Sequence, residues 1–184
     1  MTTLFKLGIG GLDDGPVVWN HVYRREETTG PMRLAIVPRE DPLGVMCDLA
    51  ESIGPEYYLL YVHAVGRSTS PEGRYESSLM ELVDVRIFLA EYEEMLECDA
   101  RHELWIGTDD DSGMLVLDEH GIIFAYGPLD DFARTLEGRG IVEGEFAIPD
   151  PHSHHYHAAY DEDVERLLAH WDWHRTDLQP EDER

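Results

Sequence analysis

The chain has 184 residues, 42% of them hydrophobic, which is enough for one domain with a buried core. Its 39 acidic residues outnumber its 14 Lys and Arg residues and give a formal net charge of −25 at pH 7. This charge argues against direct binding to nucleic acid or to an anionic membrane, because both are negative themselves.

The first half of the chain alternates apolar segments with turn residues. Residues 15–25 are ambiguous, because β-branched residues there favour a strand whereas the spacing of Val18, Val22 and Arg25 permits a helix. A helix is predicted over 41–53, with Asp41 as N-cap, Pro42 at the first position and a glycine as the stop signal. Strands are predicted over residues 4–9, 33–37, 57–65 and 74–77.

The second half begins with the clearest helix of the chain, predicted over 79–97. Its apolar residues recur at three- and four-residue steps, and acids fill much of the opposite side. A three-stranded meander follows, with two short polar turns between its strands. The remaining predicted elements are a helix over 128–137, a strand over 145–148, a helix over 161–174 and a frayed tail over 179–184.

Strands and helices mix without a strict β-α-β rhythm, and no linker divides the chain. We therefore predict an α+β fold with a single domain over residues 1–178. Its sheet is expected to be mixed or mostly antiparallel, with a meander near residues 103–126, and to pack against three to four helices.

Two cysteines, Cys47 and Cys98, are too few for a disulfide framework and are predicted to be free thiols in helices. Residues 1–20 lack the pattern of a signal peptide, and no apolar run approaches the roughly 20 residues of a membrane span. We therefore expect a cytoplasmic protein without a membrane segment.

Histidines concentrate near the C-terminal end, and neutral imidazole is a good ligand for zinc or nickel. Four of them lie within residues 152–157, and two more are predicted to share a face of the last helix, one turn apart. The surrounding acids are expected to raise the pKa values of these rings. A surface loop whose rings stack on nearby aromatic residues is the alternative. The six candidate metal ligands are His152, His154, His155, His157, His170 and His174.

A second candidate site is the acidic side of the helix predicted over 79–97, where a basic protein partner would bind. A solvated helix face is the alternative explanation for these acids. The chain has no Gly-x-Ser-x-Gly elbow, no P-loop lysine and no dinucleotide fingerprint, so a non-enzymatic role is favoured. The candidate partner-binding residues are Glu81, Asp84, Glu91, Glu94 and Glu97.

Three functions fit the sequence. The leading hypothesis is a small acidic bacterial binding protein, of the immunity or antitoxin type or a nucleic-acid mimic, that covers a basic protein partner. The second is a His-rich metal-binding protein or metal-dependent hydrolase that uses zinc or nickel. The third is a housekeeping domain whose acidity only reflects the host proteome, through a GC-rich genome or adaptation to high salt. Lys6 is the only lysine among the basic residues, which fits both of these origins.

Overall fold

The computed structural model describes residues 4–10, 15–67 and 70–182. Within these ranges there are four α-helices and eleven strands. The helices are α1 (Pro42–Ala50), α2 (Leu82–Cys98), α3 (Leu129–Gly138) and α4 (Asp161–Leu168). The strands are β1 (Leu7–Ile9), β2 (Val22–Glu26), β3 (Arg33–Val37), β4 (Tyr57–His63), β5 (Gly73–Glu76), β6 (His102–Thr108), β7 (Met114–Leu117), β8 (Ile123–Tyr126), β9 (Val142–Glu143), β10 (His152–His154) and β11 (His174–Thr176).

Nine of the described strands form one sheet in the order β11-β5-β4-β6-β7-β8-β3-β2-β9, while β1 and β10 pair separately. The pairs are antiparallel except for the short parallel pair of β2 and β9. Strands β6, β7 and β8 are consecutive antiparallel neighbours, which confirms the predicted meander. The α+β class and the mostly antiparallel sheet are confirmed as well.

The main core lies between one face of this sheet and the helices. Alternate residues of the central strands, such as Leu59, Ile106 and Leu115, join apolar residues from all four helices in one buried cluster. A smaller cluster around Val37 and Phe146 covers part of the opposite face. Burial on both faces explains why the central strands are apolar nearly throughout.

Helix α1 begins as predicted, with Asp41 as N-cap and Pro42 in the first turn. A carboxylate oxygen of Asp41 accepts a hydrogen bond from the backbone N–H of Gly44 at 3.0 Å. A Cβ atom on residue 44 would lie 2.2 Å from this carboxylate. Glycine is therefore the residue that allows the cap to close.

Two predicted elements in the last third of the chain are wrong. Residues 145–148 form no strand, because the carbonyl of Phe146 accepts from the Arg24 side chain instead of a neighbouring strand. The last helix ends at Leu168, not at 174, and His174 begins strand β11. Trp171 stacks on Phe88 at 4.5 Å between ring centroids, and this packing takes the chain off the helical path.

The predicted frayed tail is also wrong over residues 179–182. Residues Pro180–Asp182 form a 3₁₀ turn, and Asp182 is buried. Its carboxylate accepts from the Arg74 guanidinium at 2.8 and 3.0 Å, so a buried ion pair fixes the tail on strand β5. Residues 183–184 lie outside the described residues.

A buried ion pair joins the end of α2 to the start of β6. The side chains of Arg101 and Asp99 are both 0% exposed, and their two parallel hydrogen bonds measure 2.8 and 2.9 Å. Arg101 also donates to the carboxylate of Asp161 at 2.7 Å and to the carbonyl of His157 at 2.6 Å. Asp99 accepts from the backbone N–H of His157 at 2.7 Å. The pair therefore fixes residue 157 and the first turn of α4 against the sheet.

Replacement of Asp99 by Asn is expected to lower the free energy of unfolding by about 3 kcal/mol, because it leaves the Arg101 charge buried without its main counter-ion. Chemical denaturation measures this change. Asp177→Asn is the control, since the Asp177 side chain is 95% exposed, and it should shift the value by less than about 0.5 kcal/mol. Equal effects from the two variants would contradict the structural role of the pair.

Strands β4 and β6 bury two histidines opposite each other. His63 pairs with His102 in the register, and both residues are 0% exposed. Burial, together with the nearby Arg101 charge, lowers the pKa of His63 to about 4. Burial also holds the pKa of His102 well below its ordinary value. Both rings are therefore neutral at neutral pH.

Acid should destabilise the fold through His63. Its pKa of about 4 in the folded state lies below the ordinary 6.5, so the unfolded chain binds the proton first as the pH falls. Neutral His63 therefore makes its full contribution to the free energy of unfolding above pH 6.5. As the pH falls from about 6.5 to 4, the fold loses about 3 kcal/mol of this free energy. Unfolding free energies of the wild type and His63→Leu across this range measure it. The wild type should lose more stability than the variant, and parallel curves would show that His63 does not contribute.

Candidate metal centre

The small β1–β10 sheet holds two histidines side by side. In the antiparallel register, Ile9 pairs with His152 and Leu7 pairs with His154. Residues two apart on a strand point to the same side, so His152 and His154 share one face of β10. Their ring centroids are 5.2 Å apart. The strand therefore presents two imidazoles together.

A third histidine reaches this pair from the turn between β7 and β8. The His120 ring lies 5.3 Å from that of His152 and 4.8 Å from that of His154 between centroids. One ligand atom from each of the three residues lies within 4.8 Å of the others, and all three residues are half-buried. Tetrahedral zinc needs its nitrogens roughly 3.4 Å apart, so the rings have to close by roughly 1.4 Å at most.

Asp118 fixes the orientation of the His120 ring. One carboxylate oxygen accepts from the backbone N–H groups of His120 at 3.0 Å and Ile122 at 2.7 Å, which closes the turn. The other oxygen accepts from His120 Nδ1 at 2.9 Å. Because Nδ1 carries the proton in this bond, Nε2 is the ligand atom of the His120 ring.

A backbone carbonyl fixes the orientation of the His152 ring. The Nδ1 atom of His152 lies 2.8 Å from the carbonyl oxygen of Pro149, which accepts its proton. The lone pair of the ring is therefore on Nε2. The Nε2 atom of His154 is shielded from solvent. We call His120, His152 and His154 the histidine triad.

The neighbouring histidines of the predicted cluster are used differently. The His155 ring packs edge-on against Phe5 at 4.6 Å and lies 3.1 Å from the hydroxyl of Ser153. His157 Nε2 donates to the carbonyl of Phe5 at 3.0 Å. The rings of His155 and His157 stack with 5.9 Å between their centroids. These rings bind the segment before β1 to the segment after β10.

The last two predicted ligands lie elsewhere in the fold. His170 follows α4 and contacts the hydroxyl of Tyr92 at 3.0 Å, while His174 is exposed on the edge strand β11. The expectation that they share a helix face is wrong, since the helix ends before both. The structure thus brings only His152 and His154 of the six together, and adds His120, which the sequence analysis did not select.

The expected rise in histidine pKa values is wrong for His155. Its burial lowers the pKa below the ordinary value, and the neighbouring His157 lowers it further. The ring packs against Phe5 and lies close to the backbone of Gly8. Desolvation of the imidazole therefore outweighs the acidity of the chain as a whole.

The five candidate partner-binding acids lie in different surroundings along α2. Glu81 precedes the helix, and Asp84 and Glu91 are exposed. Glu94 accepts from the hydroxyl of Tyr160 at 3.2 Å. Glu97 points into the fold, where its Oε1 atom is shielded from solvent and burial raises its pKa to about 7. Glu94 is exposed like the first three residues, so only Glu97 of the five is turned away from the open acidic surface.

A second group of possible ligands is entirely acidic. Asp41, Glu93 and Glu97 each place one oxygen within 4.8 Å of the others. Asp41 already accepts from Gly44 as the N-cap of α1 and from the Arg139 guanidinium at 3.0 Å. This carboxylate is thus engaged in the fold, and the histidine triad is the better metal centre.

A cavity of about 190 Å³ opens beside the triad, with His120, Lys6, Glu97 and Cys98 among its lining residues. Burial lowers the pKa of Lys6 to about 8, although nearby acids oppose this shift. Glu97, with its pKa of about 7, brings a second group that exchanges protons near neutral pH. Burial raises the pKa of the Cys98 thiol, which makes it a poor nucleophile.

Comparisons of the chain with protein-family models, with curated proteins and with solved structures gave no match. In the part of the chain that the structure describes, no helix combines the length and apolar character needed to cross a membrane.

Proposed function

We propose that this protein binds a divalent transition metal, with zinc as the reference ion, through His120, His152 and His154. The observation that carries the proposal is the convergence of three imidazole ligand atoms within 4.8 Å. Asp118 and the Pro149 carbonyl support it, because they hold two of the rings by their Nδ1 atoms.

The donor set favours a reactive metal centre over a purely structural one. Structural zinc sites are usually closed by four protein ligands, often cysteines, whereas three histidines leave the fourth position to water or substrate. Zinc in that setting polarises a substrate or activates water for hydrolysis. The cavity beside His120 offers room for a small substrate, with Glu97 as a group that accepts or donates protons.

The cysteines are compatible with a reducing compartment. Cys47 is buried and free, and Cys98 is free and half-buried. Burial raises the pKa of Cys47 to about 11, so this thiol neither competes for the metal nor oxidises readily. A cytoplasmic location is therefore part of the proposal.

Untagged protein is expected to bind one equivalent of zinc, as measured by elemental analysis and titration calorimetry. His120→Ala should weaken binding by more than about 100-fold, because it removes one of three ligands and the contact with Asp118. His174→Ala is the control, since this histidine is exposed on β11 and far from the triad in the fold. Unchanged affinity in His120→Ala would overturn the proposed site.

Asp118→Asn tests whether Asp118 orients the His120 ring for metal binding, and it leaves the ligand His120 in place. An asparagine keeps one oxygen for the turn, but its amide nitrogen cannot accept the proton of His120 Nδ1. We expect zinc affinity to fall by about 10–100-fold. An affinity within twofold of the wild type would show that Asp118 closes the turn and does nothing for the metal.

A further inference from the structure

Helix α2 exposes large apolar side chains on the side that faces away from the sheet. Val83 is 54% exposed and Ile87, one turn later, is 60% exposed, while Leu79 just before the helix is 45% exposed. Single exposed apolar residues are ordinary, but Val83 and Ile87 lie one turn apart on the same side of the helix, and Leu79 and Ile87 line the same groove. They form an apolar edge on an otherwise acidic protein.

A groove of about 350 Å³ runs beside this edge, with Leu79, Met80, Ile87, Phe88 and Trp171 among its lining residues. Phe88 is fully buried, and Trp171 stacks on it at 4.5 Å with an angle of 19° between the rings. Trp173 packs against Trp171 in turn at 5.2 Å. Trp171 is thus an aromatic side chain of the groove that Phe88 and Trp173 hold in place, and it suits the docking of apolar side chains.

The rim of the groove is negatively charged. Asp84 and Asp172 line it and are exposed. Among the described residues, no arginine or lysine forms an ion pair with either carboxylate. Glu81, at the N-cap of α2, and Glu91, within α2, are further exposed acids. The chain as a whole carries −25, so a second copy would be repelled.

We infer that this groove binds a basic amphipathic segment of a partner protein. A few apolar side chains of the segment would pack between Ile87 and Trp171, in the manner of a helix in a groove. Its lysine or arginine residues would face Asp84 and Asp172, which supplies both selectivity and fast association. The surface uses no residue of the histidine triad, so it is independent of metal binding.

The test uses two fluorescently labelled peptides of identical leucine–lysine composition, each about four helical turns long. One peptide has its leucines on one helical face, and the other has them scrambled. Anisotropy titrations should show that the patterned peptide binds the wild type at least about tenfold more tightly than the scrambled one. Its binding should also change the tryptophan fluorescence, and Trp171→Phe should remove most of this change.

Two double variants separate the apolar from the charged contribution. Val83→Ser with Ile87→Ser should weaken the patterned peptide by about tenfold, and because both residues are exposed the fold should persist in thermal unfolding. Asp84→Asn with Asp172→Asn should weaken binding and reduce its salt dependence. Glu143→Gln with Glu145→Gln is the charge-matched control near the opposite edge of the sheet, and it should leave the affinity within twofold.

Four results would overturn the inference. Equal affinity for the two peptides, or an equal loss in the charge-matched control, would show general attraction to an acidic protein. If neither peptide binds, the groove is not a binding site for basic amphipathic segments. Sedimentation that shows self-association, abolished by Ile87→Ser, would identify a second copy as the occupant instead of a basic partner.

Discussion

The buried pair of Arg101 and Asp99 holds the segment between β10 and α4 against the sheet. Both side chains are 0% exposed, so neither charge gains hydration and each depends on the other. Their remaining hydrogen-bonding groups hold the backbone of His157 and the carboxylate of Asp161. The segment that leads back from residue 157 to β10 is thereby fixed against the sheet, and with it the strand that carries two members of the triad.

Helix α2 links the two surfaces for which we propose functions. Its first turns expose Val83 and Ile87 beside the groove that Trp171 lines. Its last turn brings Glu97 to the cavity beside His120 and is followed by Asp99 of the buried pair. One rigid element thus separates a docking surface at one end from a candidate metal centre near the other. The acidic surplus favours both proposed functions, because negative charge attracts basic segments and cations alike.

Local signals in the sequence were sufficient for much of the fold. The apolar run of β4, the two turns of the meander and the Asp41–Pro42 start of α1 each act within a few residues, and the structure confirms them. The last helix was predicted too long, because the stacking of Trp171 on Phe88 depends on a residue over 80 positions away. Helix periodicity carries no information about such a contact.

The histidine triad also depends on a contact between distant residues that local sequence patterns do not show. His152 and His154 were selected from their local density, but His120 joins them only through the pairing of β1 with β10 and the turn that Asp118 closes. The most direct test is a crystal structure with zinc and anomalous diffraction at its absorption edge. Zinc held by the triad should give a peak about 2.1 Å from the Nε2 atoms of His120 and His152 and within bonding distance of the His154 ring. A peak at Asp41, Glu93 and Glu97 instead, or none at the triad, would contradict this expectation.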